Sequence, residues 1–286
     1  MAGLTNQEVA ACFDAAAHQY DACSNRYAVR RRVEALAPYV RGRSFEIGGG
    51  TGEVTAALAD RTNAFHSDIA PEMCRLASKK LACRSLCCDA EAIPLIDASI
   101  DTAISAEMIY YLQHPERFTA EAFRVLRPGG TLLLCTTSPT AAAWDRLRSV
   151  LRRIGFRRMF FEDGSPQFLG LSRLKLLLEQ AGFVVEKTRR LVLLPFAVCD
   201  RINRLLERTP LRHLAIFTVI VARKPATMIL IGEAKAACPA HTSCDPTPPT
   251  KGFIFVDVTD APADPCSGVK ASDGGAAGHV AGAAAA

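Results

Sequence analysis

A glycine-rich loop between two predicted secondary-structure elements constrains the fold more than any other feature of this chain. The segment Phe45–Glu53 reads FEIGGGTGE, follows a short apolar run and precedes an amphipathic run. Glycine adopts positive φ without strain and lets a ligand approach the backbone closely. The first turn of the following helix offers unpaired N–H groups. Strand, glycine loop and helix in this order predict the first ligand-binding turn of a doubly wound α/β sheet.

The spacing of the glycines excludes two common nucleotide-binding loops. A dinucleotide loop that starts at Gly48 and Gly50 would need a third glycine where Glu53 stands. A phosphate-binding loop would need Gly-Lys followed by Ser or Thr, which the segment lacks. The pattern present is an acid at position 46 and glycines at 48, 50 and 52. By itself, such a loop is also consistent with a purely structural turn.

Two further acids follow the next two predicted strands. Asp68 ends the second strand, where a carboxylate can accept hydrogen bonds from the ribose hydroxyls of an adenosine, although it equally fits a cap for the helix that begins at Pro71. Asp89 follows the third strand, where a polar side chain can reach an adenine edge, although it also fits a turn. The carboxyl ends of parallel strands meet at one edge of a sheet, so the loop and both acids predict a single crevice.

Short apolar runs alternate with amphipathic runs between residues 44 and 135, which predicts a parallel sheet with helices on both faces. Apolar positions at helical spacing predict an N-terminal helical cap over residues 1–40, and the α/β domain follows over residues 41–225. The predicted strands are 44–47, 64–66, 85–87, 102–105, 131–135, 183–185 and 216–221, and the predicted helices are 5–38, 53–59, 72–81, 116–125, 171–181 and 199–208.

These motifs resemble those of class I S-adenosylmethionine-dependent methyltransferases, in particular the broad group that includes the ubiquinone/menaquinone methyltransferases. The resemblance covers roughly residues 10–224, and residues 22–27 match the quinone enzymes' longer signature only loosely. It implies a Rossmann-like, seven-stranded sheet with an antiparallel last strand, helices on both faces, and S-adenosylmethionine as cofactor. The segments that carry it are 13–21, 49–55, 68–73, 89–94, 99–101 and 123–131.

The resemblance also implies a role for each matching residue. Glu46 and the glycine loop would hold the methionine part of the cofactor. Asp68 would bind the ribose, and Asp89 with Ala90 would meet the adenine edge. Ser105 would lie beside the sulfonium, and Tyr20 would cover the cofactor. The full expected set is Tyr20, Glu46, Gly48, Gly50, Thr51, Gly52, Asp68, Asp89, Ala90 and Ser105.

Methyl transfer from S-adenosylmethionine depends little on catalytic side chains, because the sulfonium methyl group is already activated and needs mainly an aligned nucleophile. A phenol or alcohol acceptor would profit from a general base. The candidates are His114, Tyr110, Tyr111 and Glu107, all just after the fourth predicted strand, and His18 on the N-terminal helix; of these, His114 and Tyr110 are preferred. His114 also fits a helix start because Pro115 follows it, and Tyr110 also fits a pocket wall.

Composition narrows the class of protein further. The eleven cysteines mostly stand singly in apolar runs, and the cluster at 83, 87 and 88 lacks metal-ligand spacing, so we expect reduced thiols and no metal site. The N-terminus lacks the pattern of a secretory signal, so a cytoplasmic location is expected. Residues 226–286 are rich in Pro, Ala and Gly, which predicts a disordered tail. The net charge of +5 is compatible with anionic partners, although no nucleic-acid-binding module is recognisable.

Residues 141–161 interrupt the α/β alternation with six arginines among apolar residues, which predicts an inserted helical region. Two interpretations stay open: a lid over the substrate pocket, or a peripheral contact with an anionic membrane. The sequence favours a methyltransferase acting on a small hydrophobic acceptor, such as a quinone, a lipid-linked compound or a polyketide-like compound. The alternatives are methylation of a protein or carrier-bound acyl group, and a regulatory protein that binds S-adenosylmethionine without turnover.

Overall fold

The computed structural model describes residues 5–58, 63–81, 85–141 and 168–226. Apart from Ala141 and Ala226, the predicted insertion 141–161 and the predicted tail 226–286 lie outside the described residues. No helix in the described part of the chain is long and apolar enough to cross a membrane.

A seven-stranded sheet forms the centre of the molecule, with the strand order β3-β2-β1-β4-β5-β7-β6. The first five strands of this order are parallel, and β7 is antiparallel to both of its neighbours, β5 and β6. This is the sheet that the resemblance implied. The strands are β1 Arg43–Ile47, β2 Asn63–Asp68, β3 Ser85–Cys87, β4 Ile100–Ala106, β5 Leu126–Thr137, β6 Val184–Leu191 and β7 Phe217–Arg223.

Seven helices surround the sheet in the described residues, and each lies where the sequence predicts a helical run. They are α1 Asn6–Cys23, α2 Arg26–Leu36, α3 Glu53–Leu58, α4 Pro71–Leu81, α5 Pro115–Val125, α6 Leu171–Gln180 and α7 Asp200–Leu206.

The predicted N-terminal helix over residues 5–38 is two helices rather than one. Thr5 and Glu8 form a reciprocal capping box at the start of α1. The chain leaves the helical conformation at Ser24, and the Asn25 side chain accepts a hydrogen bond from the backbone N–H of Ala28 to start α2. A side-chain cap of this kind begins a new helix within an otherwise helical pattern.

The central strands are buried because helices cover both faces of the sheet. On one face, Phe45, Phe118 and Leu178 belong to a single apolar cluster. On the other face, Leu36 of α2, Leu58 of α3 and Leu133 of β5 belong to a second apolar cluster. A sheet buried on both sides gives the loops at its carboxyl edge a rigid base, and those loops form the site.

Candidate active site

A cleft opens at the carboxyl edge of the sheet, beside the point where the strand order reverses between β1 and β4. Open α/β sheets bind their ligands at this point. The cleft holds about 950 Å³ of empty space, its open mouth included, which is the size of a site for a small ligand. Of the ten cofactor residues that the resemblance implied, eight line it: Tyr20, Glu46, Gly48, Gly50, Thr51, Asp68, Asp89 and Ala90.

The other two expected cofactor residues, Gly52 and Ser105, do not line the cleft. Gly52 ends the glycine loop at φ +79°, with its Cα facing α4. Ser105 is fully buried near the end of β4, and its hydroxyl finds no hydrogen-bond partner in the described residues. Gly52 therefore lies on the α4 side of the loop, outside the cleft. A role for Ser105 beside the sulfonium stays a prediction.

The glycine loop has the geometry that its sequence predicted. Gly48 and Gly50 adopt φ values of +69° and +57°, a region that favours glycine. A Cβ added at Gly48 would lie 2.3 Å from Cγ of Met108, and one added at Gly49 would lie 2.7 Å from Cδ of Glu46. Glycine is therefore required at Gly48 for both backbone conformation and space, at Gly50 for conformation and at Gly49 for space.

Asp68 ties the glycine loop to the end of β2. Its Oδ2 accepts a hydrogen bond from the backbone N–H of Gly50 at 2.8 Å, and its Oδ1 accepts one from Ala70 at 2.9 Å. Burial raises the pKa of Asp68, although these N–H donors favour the ionised form. The carboxylate thus turns the chain before α4 and also lines the cleft, and its contact with a ribose stays a prediction.

Asp89 is held in place by groups from two parts of the chain. Its Oδ1 accepts a hydrogen bond from the backbone N–H of Glu91 at 2.8 Å, which fixes the turn after β3. Its Oδ2 accepts a hydrogen bond from Nδ2 of Asn6 at 2.7 Å, at the start of α1. The acid expected at the adenine edge is therefore covered by the N-terminal helix.

Glu46 and His66 support the loop from below. Glu46 is buried, accepts a hydrogen bond from the backbone N–H of Thr55 at 2.9 Å and bonds the Thr55 hydroxyl. Burial raises the pKa of Glu46 to about 7. His66 is also buried, which lowers its pKa to about 4, and its Nδ1 lies 2.6 Å from Oγ of Ser85. At neutral pH, His66 is uncharged, and Glu46 holds the first turn of α3 against the loop.

An arginine and a glutamate that the sequence analysis did not place in the cofactor set face each other in the cleft. Arg32 of α2 and Glu107, directly after β4, both line it, with Nη1 of Arg32 3.7 Å from Oε1 of Glu107. Glu107 has φ +64°, and it accepts a hydrogen bond from Oη of Tyr110 at 3.1 Å. Nε of Arg32 is buried without a hydrogen-bond partner in the described residues. An unmatched buried donor in a cleft is available to a ligand.

Aromatic rings form one wall of the cleft. Phe13 and Tyr111 line it, with their ring centroids 5.2 Å apart. Tyr110 packs behind Tyr111 at 4.6 Å, and Phe168 packs on Tyr110 at 5.4 Å. Such a wall gives an apolar, planar surface to anything bound between α1 and the end of β4.

Hydrogen bonds hold helix α1 against the cleft near its C-terminal end as well as at Asn6. Asp21 bonds the Thr51 hydroxyl of the glycine loop, and it accepts a hydrogen bond from Nζ of Lys80 at 2.7 Å. Oγ of Ser24 donates to Oε2 of Glu53 at 2.7 Å. The helix therefore covers the cleft from the end near Asp89 to the glycine loop.

The two candidate bases occupy different environments. His114 stands at the start of α5 with an exposed side chain, 3.3 Å from Oε1 of Glu116, and is not among the residues that line the cleft. Tyr110 is buried behind Tyr111, and burial raises its pKa well above the usual value. Within the described ranges, no group of three His, Cys, Asp or Glu side chains is placed to hold a metal ion.

Comparison with known proteins relates the chain to methyltransferases. Residues 45–134 match the methyltransferase domain family. The chain is 32% identical over 161 residues to the ubiquinone/menaquinone biosynthesis C-methyltransferase UbiE of Paraburkholderia xenovorans, covering 48% of this chain and 65% of the relative. It is 35% identical over 159 residues to the biotin biosynthesis bifunctional protein BioCD of Bordetella avium, covering 52% of this chain and 34% of the relative.

Solved structures share the fold at lower sequence identity. A SAM-dependent methyltransferase from Thermotoga maritima superposes with a TM-score of 0.58 at 21% identity, covering 76% of this chain and 99% of that one. The [4+2]-cyclase SpnF also superposes with a TM-score of 0.58, at 17% identity, covering 79% of this chain and 98% of that one. These likenesses establish the fold alone.

Residues 45–134 therefore match a methyltransferase domain, and the strand order around them is the one found in solved methyltransferases of the class I fold. Class I methyltransferases take their methyl group from S-adenosylmethionine. The chain spans between 34% and 65% of the length of the two curated relatives named above.

Proposed function

We propose that this chain transfers a methyl group from S-adenosylmethionine, bound in the cleft, to a small hydrophobic acceptor. The observation that carries the proposal is the convergence of three sequence motifs on one cleft. The glycine loop, Asp68 and Asp89 come from the ends of three successive strands, and residues from all three line the same space.

The donor set of the cleft fits the cofactor. The glycine loop lets a ligand approach the backbone, Asp68 offers a carboxylate to the ribose hydroxyls, and Asp89 offers one to the adenine amino group. Arg32 supplies a buried donor without a partner among the described residues, which suits the carboxylate of the methionine part. The cofactor supplies the activated methyl group, and the chain's own residues hold it and exclude water.

The aromatic wall supports a hydrophobic acceptor. Phe13 and Tyr111 present apolar ring surface to the cleft, and Met108 and Leu112 add aliphatic surface beside them. A planar or extended apolar molecule would bury this surface on binding, and each Å² of apolar area removed from water contributes roughly 25 cal/mol. A quinone-like, lipid-linked or polyketide-like compound has these properties.

Proton transfer from an acceptor that ionises during methylation needs a base. Glu107 lines the cleft, and burial raises its pKa, which makes it a stronger base than an exposed carboxylate. Glu107, His114 and Tyr110 are all candidates that the sequence offers, and separate substitution of each by Gln or Phe distinguishes them.

A carrier-bound acyl group is the second candidate acceptor. The malonyl-[acyl-carrier protein] O-methyltransferase of Marinomonas sp. is 29% identical over 141 residues, covering 46% of this chain and 52% of the relative. A carrier-bound substrate would make methyl transfer depend on the carrier protein, whereas a free small molecule would be methylated without it.

Calorimetry tests the cofactor. We expect S-adenosylmethionine and S-adenosylhomocysteine to bind, and NAD not to bind. Asp68→Ala should weaken binding by roughly 1.5–3 kcal/mol, the range for a hydrogen bond to a charged group. Asp97→Ala is a matched control because Asp97 is exposed and pairs with Arg124, away from the cleft residues. Tighter binding of NAD would refute the assignment.

Methyl transfer is then tested with a labelled methyl donor and a metabolite extract, with and without acyl carrier protein. Label in an apolar small molecule supports the proposal, and label only in the carrier-bound fraction selects the second candidate. Cofactor binding without any production of S-adenosylhomocysteine would select the regulatory alternative.

A further inference from the structure

The segment after β6, residues 196–214, carries an unusual share of exposed apolar side chains. Val198 is 91% exposed, Leu205 66% and Ile202 51%. Single exposed apolar residues are ordinary on a protein surface, whereas several within one short segment indicate an interaction site. We call this set the apolar patch; its members are Phe196, Val198, Ile202, Leu205, Leu211 and Leu214.

The patch follows the geometry of helix α7. Val198, Ile202 and Leu205 are spaced four and three residues apart, so they share one face of the helix and of the turn that precedes it. Asn203 points the opposite way and is fully buried. The helix is therefore amphipathic, with its apolar face turned outward, away from the core of the domain.

The charged side chains of the same segment also differ between its inner and outer sides. Arg31, which is only 3% exposed, pairs with Asp200 at the start of α7 and with Glu207 at its C-cap. Its Nη1 lies 2.9 Å from Oδ1 of Asp200, and its Nη2 lies 2.7 Å from Oε2 of Glu207. Arg201 and Arg208 stay exposed next to the apolar face. The acids are thus neutralised on the inner side, and the outer side presents apolar and cationic groups together.

The patch is mounted on a fixed base. Oδ1 of Asn203 accepts hydrogen bonds from the backbone N–H groups of Leu193 and Leu194, both at 2.9 Å, and its Nδ2 donates to Oη of Tyr27 at 2.8 Å. Nδ2 of Asn25 also donates to the carbonyl of Pro195 at 3.1 Å. These contacts attach the segment to α2, whose Val29 and Arg32 line the cleft.

We infer that residues 196–214 form a docking surface for an anionic phospholipid bilayer. The patch side chains protrude, and none of them lines the cleft. Protruding apolar groups flanked by exposed arginines suit insertion below the headgroups of a negatively charged membrane. Because α2 connects this surface to the cleft, docking would bring the cleft close to the membrane. The inference concerns binding alone and does not depend on methyl transfer.

Vesicle flotation with the full chain tests the inference. We expect binding to vesicles of phosphatidylcholine with phosphatidylglycerol, little binding to phosphatidylcholine alone, and weaker binding at high salt. V198S/L205S should bind about tenfold more weakly because two inserted apolar groups are lost. R201Q/R208Q should bind about tenfold more weakly at low salt. Ile96→Ser and Arg117→Gln, at exposed positions elsewhere, are the matched controls and should bind as the unmodified chain does.

A spectroscopic measurement separates insertion from mere attachment. In Val198→Trp, we expect the added emission to shift to shorter wavelength when anionic vesicles are present, and in Ile96→Trp we expect no such shift. Thermal melts of every variant should match that of the unmodified chain, since the substituted side chains are exposed.

Several outcomes would overturn the inference. One is binding by V198S/L205S equal to that of the unmodified chain. Another is loss of vesicle binding only in R152Q/R153Q/R157Q/R158Q, which would place the contact in the segment 141–161. A third is a dimer in solution that dissociates in V198S/L205S, together with no binding of the unmodified chain to vesicles. That result would make the patch a contact between two copies of this chain.

Discussion

Nδ2 of Asn6 lies 2.7 Å from Oδ2 of Asp89, across 83 positions of sequence. This hydrogen bond joins the first turn of the N-terminal helix to the acid expected at the adenine edge. Together with the bonds of Asp21 and Ser24 near the glycine loop, it makes α1 a cover that is fastened at both ends of the cleft. We therefore expect ligand entry and release to compete with these bonds.

Asn6→Ala is expected to speed the release of S-adenosylhomocysteine by about fivefold, because a hydrogen bond of about 1 kcal/mol no longer holds the cover. Stopped-flow displacement measures this rate. Gln7→Ala, one residue further along the exposed start of α1, serves as the control. Equal release rates for Asn6→Ala and the unmodified chain would mean that α1 does not gate the cleft.

Gly48→Ala is expected to abolish cofactor binding and to destabilise the fold by roughly 1–3 kcal/mol, since alanine is strained at φ +69° and its Cβ would lie 2.3 Å from Cγ of Met108. Gly170→Ala is the matched control because φ there is −68° and nothing lies within 4 Å of an added Cβ. Calorimetry and chemical unfolding give the two readouts. Native affinity in Gly48→Ala would show that the loop does not approach the ligand.

Arg31→Met is expected to lower the free energy of unfolding by roughly 2–4 kcal/mol, because the largely buried Glu207 would lose its cationic partner and Asp200 would keep only Arg204 and the more distant Arg30. Arg30→Met is the control, since Arg30 is 56% exposed on the same helix. Urea unfolding measures both variants. Equal stabilities would show that the inner charges of α7 are satisfied by water.

The fold was predictable where the apolar pattern is strong. The central strands and the helices between them appear in the sequence as clear alternations, and the predicted bounds differ little from those observed except at β5, which was predicted over 131–135 and runs over Leu126–Thr137. Strand β6 was predicted only over 183–185, whereas it runs over Val184–Leu191. It lies at the edge of the sheet, and its charged residues between 186 and 190 hide the strand because only one neighbour buries it.

The cleft residues that come from the glycine loop and the strand ends were also predictable, because loop geometry and strand ends fix their positions locally. The cleft residues that depend on long-range contacts were not predictable. Arg30, Arg31 and Arg32 are consecutive in sequence, yet one is exposed, one binds the acids of α7 and one lines the cleft. Helical rotation alone separates them, and the identity of each partner depends on elements far along the chain.

Glu46 and His66 give the last prediction, which concerns pH. The folded pKa of Glu46 is about 7, above the ordinary value of 4.5, so the native state binds a proton between these values that the unfolded state has lost. Glu46 therefore makes stability fall as pH rises from 4.5 to 7, by an amount on the order of 3 kcal/mol. The folded pKa of His66 is about 4, below its ordinary 6.5, so it makes stability rise with pH from 4 to 6.5.

The two groups thus oppose each other, and single substitutions should separate them. Glu46→Gln should leave a chain whose stability rises with pH from 4.5 to 6.5, because only the His66 contribution remains. His66→Gln should leave one whose stability falls over the same interval. Urea unfolding at closely spaced pH values measures both slopes against the unmodified chain, in which they largely cancel. Parallel curves for all three proteins would show that neither Glu46 nor His66 has a shifted pKa in the folded state.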